Sequence, residues 1–236
     1  MSTDTDYLAA NWALVRRRVA QACHAAGRDP AEVSILPVSK TFGPELIRAA
    51  VALGMRRFGE NKAQELREKT PALADCSIHW VMIGHLQTNK AKEVARLASE
   101  VQSLDRLELA EALHRRLQHE GRSIDVLVQV KTSPEPSKYG LSPDRLRAFL
   151  DALRGFDTLA VRGLMTLAMP SDQADEVRGC FRTLRQLRDQ AAGWGHDLPR
   201  LSMGMSGDFA LAIAEGATEV RIGSAIFGAR APQATF

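Results

Sequence analysis

Lys40 stands where a short apolar run, Val33-Ser34-Ile35-Leu36-Pro37-Val38, breaks into Ser39-Lys40-Thr41-Phe42-Gly43-Pro44. A lysine at the end of a buried strand is costly to desolvate. Where a pocket lowers its pKa, the amine becomes a nucleophile able to form a Schiff base with an aldehyde. A second chemical signal lies near the other end of the chain, in two glycine-rich stretches, Leu201-Ser202-Met203-Gly204-Met205-Ser206-Gly207-Asp208 and Val220-Arg221-Ile222-Gly223-Ser224-Ala225-Ile226-Phe227-Gly228. Their glycines let backbone approach an anion closely, and the hydroxyls of Ser206 and Ser224 can donate to it. A helix beginning near Asp208 would aim its free N–H groups at the same place. An aldehyde-seeking lysine and a phosphate cradle at opposite ends of one pocket fit pyridoxal 5'-phosphate. Arg221, beside the cradle, would then face the pyridine nitrogen. A guanidinium keeps its proton, so it donates to that nitrogen, leaves the ring neutral there and makes it a weak electron sink. Each feature has a bland alternative: a solvated strand-end lysine, two ordinary turns, a surface ion pair.

The elements that would position these residues alternate. Eight short apolar or β-branched runs read as strands near Val33–Val38, Arg56–Phe58, Ile78–Ile83, Glu100–Ser103, Asp125–Val130, Leu159–Leu164, Leu198–Ser202 and Glu219–Ile222. Between them the spacing predicts helices over Pro44–Leu53, Asn61–Lys69, Asn89–Leu97, Arg106–His119, Pro143–Leu153, Asp172–Ala192 and Asp208–Glu215. Strand then helix, eight times, predicts an α/β fold, a single (β/α)8 TIM-type barrel. Pro44 and Pro143 mark first helical turns, and Gly54 and Gly216 mark stops. Tyr7–Ala26 adds an N-terminal helix closed by Gly27, so residues 1–30 are expected to pack on the barrel's bottom or side. No linker or repeat interrupts the pattern, and residues 1–236 read as one domain. Such barrels build their sites at the C-terminal ends of the strands, where this chain places Lys40, Glu60-Asn61, Gly84-His85, Lys138, Thr166, Ser202 and Arg221.

Composition excludes more than it assigns. Across 236 residues, 45% are hydrophobic and 25% charged, with no apolar run long enough to cross a bilayer. The acidic N-terminus lacks the marks of a signal peptide, which predicts a cytoplasmic location. Cys23, Cys76 and Cys180 are widely spaced and form no C-x-x-C pair, so they read as packed thiols. His24, His79, His114, His119 and His196 show no metal-ligand spacing, and no metal is expected. A net charge of +3 suits a small phosphorylated ligand better than nucleic acid.

Seven segments carry a resemblance. Val38-Ser39-Lys40-Thr41, Phe58-Gly59-Glu60-Asn61, the stretch from His79 to Lys90, Ser137-Lys138-Tyr139-Gly140, Gly163-Leu164-Met165-Thr166 and the two glycine-rich stretches occur in this order from about residue 33 to 230. In them the chain resembles the YggS/PROSC family of pyridoxal phosphate homeostasis proteins. The resemblance implies the alanine racemase N-terminal barrel, the cofactor on Lys40, and no established catalytic reaction. It implies that Asn61, His85, Ser202, Ser206, Gly207, Arg221, Gly223 and Ser224 line the cofactor site, with Met165 and Thr166 near the ring. Two small departures from the family pattern, Gly216-Ala217-Thr218-Glu219 and Thr88, touch none of the chemical residues.

The preferred reading is a binding protein that buffers pyridoxal phosphate and hands it to apo-enzymes, as a monomer. The alternative is a racemase or related lyase, and a third, weaker reading is a phosphosugar enzyme. A racemase needs two bases on opposite faces of the substrate carbon. Alanine racemases take the second from a C-terminal β domain, and this chain stops thirteen residues after Gly223. Tyr139 is the remaining candidate for that base. His85 either approaches the phenolic oxygen or is structural, and Lys138 either accepts the aldehyde from Lys40 or attracts the phosphate.

Overall fold

A computed structural model describes residues 2–133 and 139–228. Eight strands, β1 (Ser34–Pro37), β2 (Arg57–Glu60), β3 (His79–Met82), β4 (Glu100–Leu104), β5 (Ile124–Gln129), β6 (Leu159–Met165), β7 (Arg200–Ser202) and β8 (Glu219–Ile222), pair in parallel in the order β1-β8-β7-β6-β5-β4-β3-β2. The ring closes between β1 and β2, where Val38 bridges Gly59 and the Ser39 N–H donates to the Gly59 carbonyl at 3.1 Å. The expected barrel is therefore present, with each strand within a few residues of its predicted place.

Helices α1 (Ser2–Ala25), α2 (Pro44–Ala52), α3 (Ala63–Ala72), α4 (Ala91–Leu97), α5 (Leu107–Glu120), α6 (Leu146–Leu153), α7 (Ala174–Gly193), α8 (Phe209–Ala214) and α9 (Ser224–Phe227) surround it. Their buried faces follow the helical period, as in Leu109, Leu113 and Leu117 of α5 or Val177, Phe181 and Leu184 of α7. Pro44 opens α2, and Pro143 opens a 3₁₀ turn that runs into α6. The stops also hold, since Gly27, Gly54 and Gly216 all take positive φ. At Gly27 the Arg28 N–H returns to the Cys23 carbonyl at 2.9 Å, the long closing bond of a Schellman cap.

The N-terminal helix begins earlier than its apolar stripe predicts, at Ser2, and packs against α2, α8 and α9 on the side of the barrel. Asn11 Nδ2 donates to the Ile226 carbonyl at 3.1 Å, and Arg28 reaches the Ile213 and Ala217 carbonyls. It thus braces the seam where β8 meets β1, directly behind the two ends of the predicted site.

The barrel interior is partly polar. Glu100 and Glu219, both buried, accept from Arg57 and Arg200 at 2.7–3.1 Å. Gln102 Nε2 donates to both carboxylates, while its Oε1 accepts from Ser202 Oγ at 2.7 Å. Burial alone would raise the Glu219 carboxyl, but Arg57 and Arg200 outweigh it and hold that carboxyl below its ordinary range. This column of paired charges fills the lower barrel and ends upward at Arg221.

Candidate functional site

The C-terminal strand ends open onto one cavity of about 1130 Å³. Lys40, Asn61, His85, Ser206, Gly207, Arg221, Gly223 and Ser224 all line it, so residues drawn from five separate strand ends converge as the sequence predicts. Lys40 follows β1 in a turn spanning Ser39 to Phe42, closed by the Phe42 N–H to the Ser39 carbonyl at 3.1 Å. Asn61 follows β2 and lies against Gly84. A Cβ at Gly84 would fall 2.1 Å from the Asn61 carbonyl oxygen, so glycine is what lets these two loops meet at the cavity edge.

Arg221 is buried in β8 and fixed from behind. Its Nη1 donates to Ser202 Oγ at 2.8 Å and its Nη2 to the Thr166 carbonyl at 2.8 Å. Burial lowers its pKa to about 10, against the opposing pull of Glu219 and Asp208, and it stays charged at neutral pH. Ser202, Thr166 and Met165 are fully buried and are not among the described residues that line the cavity. The first two hold the arginine, and Thr166 is itself anchored through Oγ1 to the Val130 carbonyl and Thr132. Their part is to aim Arg221.

The anion cradle differs from its predicted form in one respect. The Asp208 and Phe209 N–H groups both donate to the Met205 carbonyl, so the first amides of α8 are spent within their own turn. The helix that starts at the cradle is α9, whose first residue is Ser224. Gly223 is tight, since a Cβ there would sit 3.3 Å from the Val38 carbonyl, whereas a Cβ at Gly207 would meet nothing within 4 Å. Asp208 also lines the cavity, its carboxylate capping the Met205 N–H at 2.5 Å.

Across the cavity, the His85 ring stacks on Tyr139 with centroids 3.8 Å apart and planes at 15°. His85 Nδ1 has no hydrogen-bond partner and lies 3.7 Å from the Asp105 carboxylate. Lys138 lies outside the described residues. Among those described, no cluster of histidine, cysteine and carboxylate residues is built to hold a metal ion.

Comparison with known proteins bears on this arrangement. The family described as alanine racemase, N-terminal domain, matches residues 3–231. A curated pyridoxal phosphate homeostasis protein of Pseudomonas aeruginosa is 42% identical over 224 residues, 94% of this chain and 96% of the relative. The chain belongs to the pyridoxal phosphate homeostasis protein family. Among solved structures, PipY of Synechococcus elongatus with pyridoxal phosphate bound aligns with a TM-score of 0.81 at 36% identity, over 94% of this chain and all of that one. An alanine racemase of Clostridium difficile aligns at 0.75 but only 13% identity, covering 97% of this chain and 58% of the racemase. That likeness shows the barrel shared across the two groups and nothing finer.

Sequence reasoning about this family member left out part of the cavity wall. Leu167, Ala168, Met169 and Pro170, between β6 and α7, line it, as does Gln129 at the end of β5. The rule that places sites on the C-terminal loops of a barrel applies to them equally. The apolar character of residues 167–170 hid that stretch.

Proposed function

We propose that this protein binds pyridoxal 5'-phosphate, with Lys40 as the amine that takes up the aldehyde as a Schiff base, and serves homeostasis of the cofactor by binding, buffering and delivering it. The observation that carries this reading is the convergence of Lys40, Arg221 and the Gly223–Ser224 turn on one cavity. The residues suit the ligand. Gly207, Gly223, Ser206 and Ser224 offer backbone and hydroxyl donors to a phosphate, and His85 lines the same cavity with its buried Nδ1 turned toward Asp105. Arg221, held by Ser202 and Thr166, offers a fixed cation to the ring nitrogen. When bound, the cofactor supplies an aldehyde that condenses with primary amines and a ring that withdraws electrons from the adduct. A cationic partner on the nitrogen damps that withdrawal, which favours holding over turnover.

We take residues 1–236 as one domain, acting as a monomer in the cytoplasm and passing the cofactor to apo-enzymes. Three free, buried cysteines suit a reducing compartment, and no described helix is long and apolar enough to cross a membrane. The test loads the protein, removes free ligand and adds the apo-form of a pyridoxal phosphate-dependent enzyme, whose activity should recover. Pyridoxal lacking its phosphate should bind at least about tenfold more weakly, since several donors lose their acceptor. Equal affinity for the two would remove the cradle, and no recovery would remove delivery.

One observation favours the racemase or lyase alternative, namely that Tyr139 lines the same cavity as Lys40. Tyr139 is 58% exposed and its ring is stacked on His85, a placement that does not hold its hydroxyl for proton transfer. Cα–H exchange of L-amino acids in deuterated water should stay far below about 1 per second. Faster exchange, abolished in both Lys40→Ala and Tyr139→Phe, would establish the alternative.

A further inference from the structure

Behind the Lys40 turn, and off the cavity wall, lies a cluster of three charged side chains, Lys69 and Glu60 buried and Glu65 half-buried. Lys69 of α3 is 6% exposed, and its Nζ donates to the Ser39 carbonyl at 2.9 Å, Glu60 Oε1 at 2.7 Å and Glu65 Oε2 at 2.8 Å. An ammonium has three N–H donors, and each is used. Glu60 also accepts from Ser39 Oγ at 2.6 Å, and Glu65 accepts from the Thr41 N–H at 2.7 Å. The two residues that flank Lys40 are thus gripped by one cluster, Ser39 through carbonyl and hydroxyl and Thr41 through its amide.

Stability alone does not account for this arrangement. Burying the Glu60 carboxylate and the Lys69 ammonium costs desolvation that their attraction offsets only partly, and packed apolar side chains in their place are often as stable or more so. The turn supplies another reason. Thr41 has φ +72°, in the left-handed region, which a β-branched residue adopts only under strain. It is the third residue of the Ser39–Phe42 turn, the position where a turn with positive φ ordinarily takes glycine. Left unheld, this turn would relax, and Lys40 would move with it.

We propose that Lys69 is a positioning residue for Lys40: together with Glu60 and Glu65 it holds the strained Ser39–Phe42 turn that presents the Lys40 amine to the cavity. The inference rests on Lys40 being the aldehyde-binding lysine, and its test separates the two claims. Lys69→Met removes all three donors and should weaken pyridoxal phosphate binding by about tenfold or more, the scale of one strained left-handed residue. Glycine occupies φ +72° without strain, so adding Thr41→Gly to Lys69→Met should restore most of that loss. A role confined to general stability would not be rescued in this way. Glu65→Gln keeps the Lys69–Glu60 pair and the shape of the cluster, so it serves if Lys69→Met does not fold; it should speed exchange of the Thr41 amide in the ligand-free protein by about threefold or more, because a neutral amide oxygen replaces a charged acceptor. Unchanged exchange in Glu65→Gln overturns the proposal, as does a loss in Lys69→Met that Thr41→Gly fails to restore. If the wild-type protein does not capture the aldehyde on Lys40, the functional reading fails instead, and the Thr41 exchange still decides whether the cluster holds the turn.

Discussion

Glu60→Gln should make the protein more stable at pH 8 and leave it nearly unchanged at pH 4.5. Glu60 is fully buried, with Oε2 unpartnered. Burial pushes its carboxyl up to about 7 from the ordinary 4.5, although Lys69 and Ser39 pull the other way. The native state therefore holds this proton to a higher pH than the unfolded chain does. Stability from this group is full below about pH 4.5, falls as pH rises through 7, and is then level. The gap between the two values corresponds to about 3 kcal/mol. Glutamine mimics the neutral acid and still accepts from Ser39 and Lys69, so the variant avoids the loss. Urea unfolding of both proteins from pH 4.5 to 8.5 isolates the effect, because other titrating groups are common to both. The variant's advantage should grow with pH at constant m-value. A variant less stable than wild type by the same amount at every pH would refute the reasoning.

Gly84→Ala should cost at least about 2 kcal/mol, because its Cβ would overlap the Asn61 backbone, which cannot swing aside as a side chain would. Gly207→Ala, with open space around the new Cβ, should leave stability within about 0.5 kcal/mol, and urea titration of the pair checks the contrast. Gln102→Leu strips a donor from Glu219 and the acceptor from Ser202, so it should cost roughly 2–5 kcal/mol. It should also loosen Arg221, read as weaker ligand binding in the fraction that remains folded.

The barrel was legible because apolar runs of strand length alternate with amphipathic helices, and a barrel's strand ends name its site. Lys40, Arg221 and the two glycine-rich loops could be placed on one mouth for that reason. The four-residue α9 was not legible, since one turn of Ser-Ala-Ile-Phe carries no period to read. Nor was the interior charge column. Glu100, Gln102 and Glu219 look like the outward half of alternating strands, and only closure of the sheet turns them inward. Lys69 misleads in the same manner, because Glu65 and Lys69 four apart on a helix read as an exposed pair. The burial of Lys69 follows from where α3 packs behind the Lys40 turn, which no local pattern encodes.

The central claim is that Lys40 holds pyridoxal phosphate against the Arg221 and Gly223–Ser224 side of the cavity. The most direct measurement adds the cofactor to purified protein, reduces with borohydride and maps the labelled peptide. The account predicts a yellow protein before reduction and one label, on Lys40, absent in Lys40→Ala. A colourless protein after addition of the cofactor, or a label fixed on another lysine while Lys40 stays unmodified, would contradict it.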